Sequence, residues 1–191
     1  MKSKVIVALI GKAGAGKDTI AKALCSAHPE FNNIVSCTTR PKRENEVEGV
    51  DYFYLTPDQF TEKVINGDML EATYFNGWHY GTMLSSLKDG VNIGVFNPEG
   101  LDCLCQGNEY ELFAYQIHAD DKTRILRQLN RENSPNVKEI CRRFIADEED
   151  FIEYYENADD LPALLINEID EHIPYIVQFI TKELQDVGII D

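Results

Sequence analysis

Lys4-Val-Ile-Val-Ala-Leu-Ile10 runs directly into Gly11-Lys-Ala-Gly-Ala-Gly16-Lys17-Asp18-Thr19. A continuous, β-branched-rich run is the pattern of a strand buried on both faces of a parallel sheet, and the Ala-rich stretch Thr19 to Ser26 reads as a helix. Strand, glycine turn and helix open a βαβ unit, and the G-x-x-x-x-G-K spacing gives that turn a chemistry. The glycines let the backbone of Gly11, Ala13, Gly14, Ala15 and Gly16 wrap with its N–H groups pointing inward. The helix N-terminus adds partial positive charge, and Lys17 neutralises phosphate oxygens. The residue after the lysine is ordinarily a Ser or Thr that ligates Mg2+; here it is Asp18, followed by Thr19. Either Asp18 belongs to a metal site, or it caps the helix and Thr19 takes the metal.

Outward from this unit, Ile34–Thr39, Val91–Asn97, Tyr110–Ile117 and Leu161–Asn167 read as four more strands separated by helical segments. The expected fold class is α/β, a P-loop three-layer sandwich with a central parallel sheet. Residues 40–82 break the rhythm. Asp51-Tyr-Phe-Tyr-Leu55 and Glu71-Ala-Thr-Tyr-Phe75 read as short half-exposed strands around a helix that starts after Thr56-Pro57, a cap followed by a residue suited to the first helical position. A small inserted α+β subdomain is expected at about 36–82, and a helical lid, interrupted near Asn133-Ser134-Pro135, at about 126–150. The core comprises 1–35, 83–125 and 151–191 of a single domain.

The 191 residues are 43% hydrophobic and 27% charged, an ordinary globular composition. Val5 to Ile10 is too short to span a bilayer, so the chain reads as cytoplasmic, with no membrane role. Five cysteines, an odd number, are expected reduced, with Cys103 and Cys105 packing rather than binding metal. Eighteen Lys and Arg against 33 Asp and Glu give a formal charge of −15, which argues against a nucleic-acid partner. The cations nevertheless cluster: Lys12 and Lys17; Arg40, Lys42 and Arg43; and seven between Lys122 and Arg143. Lys122, Arg124 and Lys138 read as solvated helix faces; the acidic run that begins at Asp147-Glu148-Glu149-Asp150 reads as a solvated helix face or as a surface for a partner.

Ser36-Cys-Thr-Thr-Arg40-Pro-Lys-Arg43, Glu46-Val-Glu-Gly49-Val-Asp51-Tyr52, Leu70-Glu71 and Tyr80-Gly81-Thr82 resemble the monophosphate-binding subdomain of guanylate kinases. With the phosphate loop and a looser match through the lid, the resemblance covers most of the chain. It implies ATP-dependent phosphorylation of GMP or dGMP with Mg2+ as cofactor, in a monomer or homodimer. The residues suit that chemistry. Arg40 and Arg43 offer planar forks to a phosphate dianion, and Tyr52 and Tyr80 add phenolic donors. Glu71 is an acceptor-only carboxylate able to take the adjacent N1–H and N2–H2 donors of guanine. The resemblance further implies that Ser36 and Thr82 complete the base contacts, that Arg131 and Arg143 (or Arg142) stabilise the transferring phosphoryl, and that Asn167 lies near the adenine.

One segment departs from the family. Where guanylate kinases carry acidic residues at the end of the third strand, this chain reads Val95-Phe-Asn97-Pro-Glu99, so Asn97 brings a hydrogen-bonding amide to the acceptor site but no charge. Asp18 then supplies a carboxylate that this strand has lost. Two other readings fit the same residues: a kinase for another nucleotide or small phosphate, and a non-catalytic interaction module of the same fold.

Overall fold

The computed structural model describes residues 4–43, 46–75, 77–131, 133–158 and 161–191. In chain order these form β1 (Lys4–Ile10), α1 (Lys17–Ala27), β2 (Asn32–Asn33), β3 (Cys37–Thr38), β4 (Phe53–Tyr54), α2 (Pro57–Ile65), β5 (Met69–Phe75) and β6 (Trp78–Met83). There follow β7 (Gly90–Val95), α3 (Pro98–Cys105), β8 (Tyr110–His118), α4 (Asp121–Asn130), α5 (Val137–Asn157), β9 (Ala163–Ile166) and α6 (His172–Asp186). A central parallel sheet runs β2-β7-β1-β8-β9, and a four-stranded sheet runs β4-β3-β6-β5. The α/β class and the buried first strand are as expected, with every residue from Val5 to Ile10 in the core.

The chain gathers into two compact units, Met1–Ala8 with Glu30–Phe113, and Leu9–Pro29 with Ala114–Asp191. The first contains the whole four-stranded sheet, α2 and α3. There, Asn92 is fully buried and fully used: its amide donates to Val5, Lys88 and Gly90 carbonyls, while its Oδ1 accepts from the Asn32 amide. The second contains the glycine loop, α1, α4, α5 and α6. Its core includes Ile20 and Leu24 of α1 and Ile176, Ile180 and Leu184 of α6, each buried side chain contributing roughly 1.5–3 kcal/mol.

The helix starts follow local rules. Thr56 accepts from the Gln59 N–H while the Gln59 side chain accepts from the Thr56 N–H, a reciprocal capping box with Pro57 in the first turn. Asp120 caps α4 through the Thr123 N–H. The break between α4 and α5 falls at the expected Asn133-Ser134-Pro135.

Two expectations need correction. Ile34–Thr39 is not one strand. The Ile34 N–H donates to Ile93 in the central sheet, but Ser36 O accepts from Phe53 in the other sheet, so the chain changes sheets between them. Strand β6 went unread, although Asn76-Gly77 is a hairpin signal in the sequence. It pairs antiparallel with β5 in a register that puts Glu71 opposite Thr82. Among the described residues no helix is long and apolar enough to cross a membrane, and all five cysteines are free thiols.

Candidate active site

The four-stranded sheet of the first unit brings together the residues expected to hold an anion. Arg40, 7% exposed, donates from both terminal nitrogens to Glu46 at 2.8 and 3.0 Å. Its guanidinium lies over the Tyr52 ring, 5.4 Å from the centroid, and Tyr52 meets Tyr80 edge-on at 6.2 Å. Glu46 also accepts from the Arg43 N–H and from the Tyr54 hydroxyl. Burial alone would raise the Glu46 carboxyl, but Arg40, the Arg43 amide and Tyr54 outweigh it and hold it at about 2. Arg40, Arg43, Tyr52 and Tyr80 are thus linked through contacts that start from Glu46, a residue for which sequence reasoning gave no role. The signal was present, since Glu46 stands within the quoted Arg40–Tyr52 stretch. Glu46→Ala strands the buried Arg40 charge and is expected to lower unfolding free energy by about 3–5 kcal/mol in urea titrations.

Glu71, 7% exposed, hydrogen-bonds with Thr82, and Ser36 Oγ lies 3.5 Å from Thr82 Oγ1. Burial, and then the field of Glu99 against the opposing Thr82 hydrogen bond, pushes the Glu71 carboxyl up to about 7. α3 approaches closely here: a Cβ on Gly100 would lie 2.8 Å from Asn97 Oδ1 and 3.4 Å from Glu71 Oε2. Asn97 proves to be the cap of α3, its Oδ1 accepting from Gly100 N–H and its amide donating to Thr73. The residue expected to face a ligand therefore also anchors the helix that borders Glu71.

In the second unit the glycine loop leads into α1 through Gly16, whose φ of 96° is left-handed and whose missing Cβ leaves room for the Asn167 amide, 2.3 Å from where that atom would sit. Gly14 similarly admits the backbone of Arg124. Lys17 Nζ donates to the carbonyls of Gly11 at 2.5 Å and Lys12 at 3.3 Å. Its burial lowers its pKa, against the opposing fields of Asp18 and Asp147. Asn167, 1% exposed, donates to Ala15 O at 2.8 Å, and its Oδ1 is buried with no hydrogen-bond partner among the described residues. Arg127 spans Asn167 O and Ala15 O. So Asn167 lies against the loop itself.

Of the arginines in the segment expected to form a lid, Arg131 is exposed at the end of α4. Arg142 and Arg143 both donate to Glu139, whose carboxyl is held at about 2, chiefly by Arg142. Arg143 is the more buried of the two, and its charge reaches Asp147.

Arg124 corrects the sequence reading most sharply. It is no solvated helix face: it is 2% exposed, donates from Nε to Ala13 O at 3.1 Å, and pairs with Asp121, Asp147 and Glu148 beneath the Phe144 ring. Asp147 and Glu148 likewise turn toward the loop. No local pattern marks this, because the loop and α5 lie more than a hundred residues apart in sequence.

Among the described residues no three His, Cys, Asp or Glu side chains are grouped to hold a metal. Mg2+ at phosphoryl-transfer sites needs less, one or two carboxylates completed by water and substrate phosphates. The exposed Asp18 carboxylate and Thr19 hydroxyl in the first turn of α1 fit that demand. Asp18 does not cap α1; the cap position is Gly16, without a side-chain bond.

A sequence model of the family described as guanylate kinase matches residues 2–183. A guanylate kinase of Thermotoga maritima is 30% identical over 179 residues, 87% of this chain and 86% of the relative. One of Salinibacter ruber is 31% identical over 199 aligned positions, covering 95% of this chain and 100% of the relative. The crystal structure of guanylate kinase from Anaplasma phagocytophilum shares the fold, with a TM-score of 0.70 at 20% identity over 97% of this chain and 87% of that one. With a family match across nearly its whole length, the chain belongs to the guanylate kinases.

Proposed function

We propose that the chain transfers the γ-phosphoryl group of Mg·ATP to GMP or dGMP, with Glu71 reading the base. The observation that carries this reading is the setting of Glu71, a buried carboxylate beside the Thr82 hydroxyl and within the field of Glu99. Such a group favours a ligand that brings N–H donors with it, and guanine presents two side by side. Ser36 and Thr82 stand next to it to complete the base contacts.

The acceptor phosphate falls to Arg40 and Arg43, whose forks suit a dianion, with phenolic donors from Tyr52 and Tyr80. Glu46 keeps Arg40 in place before the substrate arrives. The donor's phosphates fall to the amides of the loop and to Lys17, with Asn167 beneath the loop. Arg131 and Arg143 offset charge on the transferring group; the greater burial of Arg143 favours it over Arg142. Phosphoryl transfer needs no covalent nucleophile from the protein, because positioning and charge neutralisation supply most of the acceleration. Mg2+, held by Asp18 or Thr19 with substrate oxygens, would neutralise phosphate charge.

A coupled ADP-release assay across GMP, dGMP, AMP, CMP, UMP and dTMP tests the reading. Turnover confined to guanine nucleotides supports it, and turnover on another base overturns the role of Glu71. For the metal, Asp18→Ser is expected to raise the Mg2+ concentration needed for half-maximal rate by about tenfold, as one charged ligand becomes neutral. An unchanged Mg2+ titration removes Asp18 from the metal site.

A further inference from the structure

Asp147 is only 13% exposed, and its Oδ2 accepts from the Ala13 N–H at 2.5 Å. Ala13 lies between Gly11 and Gly16, in the stretch whose amides would otherwise meet phosphate oxygens. The opposite end of the same residue is also engaged, since Ala13 O accepts from Arg124 Nε and, at 3.4 Å, from the Gln128 amide. One residue further along α5, Glu148 accepts from Lys12 Nζ and from Arg124. Two successive carboxylates of α5 thus engage two successive residues of the glycine loop. Lys17, Arg124 and Arg143 all act on Asp147. This is the surrounding that the loop provides for an anion, already containing one.

We propose that Asp147 is a built-in stand-in for a donor phosphate oxygen, and that nucleoside triphosphate binds by displacing it from the Ala13 amide. The inference rests on the kinase reading of the loop. A carboxylate and a phosphate cannot share one N–H without strong like-charge repulsion, so occupancy by one excludes the other. Displacement leaves no buried charge stranded, because Arg124 keeps Asp121 and Glu148 when Asp147 departs. The arrangement lowers affinity for the donor while keeping the loop wrapped in its absence, and it gives α5 a structural reason to move when nucleotide enters.

Calorimetric titration of Mg·ATP into the full chain tests the idea, using wild type, Asp147→Asn, Asp147→Ala and Glu149→Gln. Both Asp147 variants are expected to tighten the dissociation constant by at least about tenfold, the scale of one charge-assisted hydrogen bond no longer opposing binding. Glu149 is exposed, and its neutralisation removes the same formal charge from the same helix; the expected change there is below about twofold. Equal tightening by Glu149→Gln would mean that bulk charge, not occupancy of the amide, sets the affinity, and would overturn the proposal. Unchanged or weaker binding by both Asp147 variants would overturn it too. Wild type that binds Mg·ATP alongside unchanged variants removes the stand-in alone; no binding by any of the four proteins removes the nucleotide reading with it.

Discussion

Glu71→Gln is expected to lower kcat/KM for GMP by about two to three orders of magnitude while making the empty protein more stable. The loss has two parts. A charge-assisted acceptor disappears, and an amide NH2 replaces one oxygen facing the donors of the base, so a buried donor is left against a donor. The gain in stability follows from the carboxyl being pushed up to about 7 from 4.5 by burial. Between those values the folded chain binds more protons than the unfolded one, so stability falls as pH rises from about 4.5 to about 7 and is level above. The neutral glutamine escapes that loss, and thermal unfolding at pH 8 should show it ahead of wild type by roughly 3 kcal/mol, with the difference vanishing near pH 4.5. Binding has the opposite dependence. A protonated Glu71 presents its own O–H to the guanine donors, so wild-type KM for GMP should rise as pH falls below about 7. Glu71→Gln retains only the titration of the substrate phosphate, so the difference between the two profiles belongs to Glu71. Parallel profiles would remove the carboxylate from base recognition.

Lys17→Met is expected to lower kcat by about a thousandfold, in line with losing one preorganised charge from a phosphoryl-transfer site. The ammonium is held by the carbonyls of Gly11 and Lys12, so its position is fixed by the loop itself and not by a flexible partner. KM for GMP should barely change, because Arg40, Arg43, Tyr52 and Glu71, the residues proposed to hold the acceptor, belong to the other compact unit. Lys17→Arg should fail to restore the rate, since a planar fork cannot replace a point charge seated between two carbonyls. A loss of less than about tenfold in steady-state kcat would show that the loop's amides carry the donor without the lysine.

What the sequence revealed follows from how local each signal is. The loop was legible because strand, glycines, lysine and helix are contiguous and their chemistry depends on backbone geometry alone. The Thr56-Pro57 helix start was legible for the same reason. Glu71, Arg40, Arg43 and the tyrosines were legible through resemblance, their roles then supported by the chemistry of forks and acceptors. Glu46 was passed over because its partner, not its own pattern, gives it meaning. Arg124 was misread because a cation on a polar helix looks solvated until three carboxylates and an aromatic ring close over it, and Asp147 and Glu148 were misread for the reciprocal reason. The apolar stretch beginning at Ile34 looked like one strand because side-chain pattern carries no information about which sheet supplies the hydrogen bonds. That change of sheet brings Ser36 into the four-stranded sheet, beside Thr82.

Inosine monophosphate differs from GMP only in lacking the 2-amino group, so the ratio of kcat/KM for the two substrates, in wild type and in Glu71→Gln, isolates the contact on which the functional reading depends. In wild type GMP should be preferred by about tenfold or more, the worth of one hydrogen bond to a buried carboxylate, and the preference should shrink to about one in the variant. A preference of equal size in both proteins would show that the 2-amino group is read elsewhere and would contradict the assignment of Glu71 as the guanine reader.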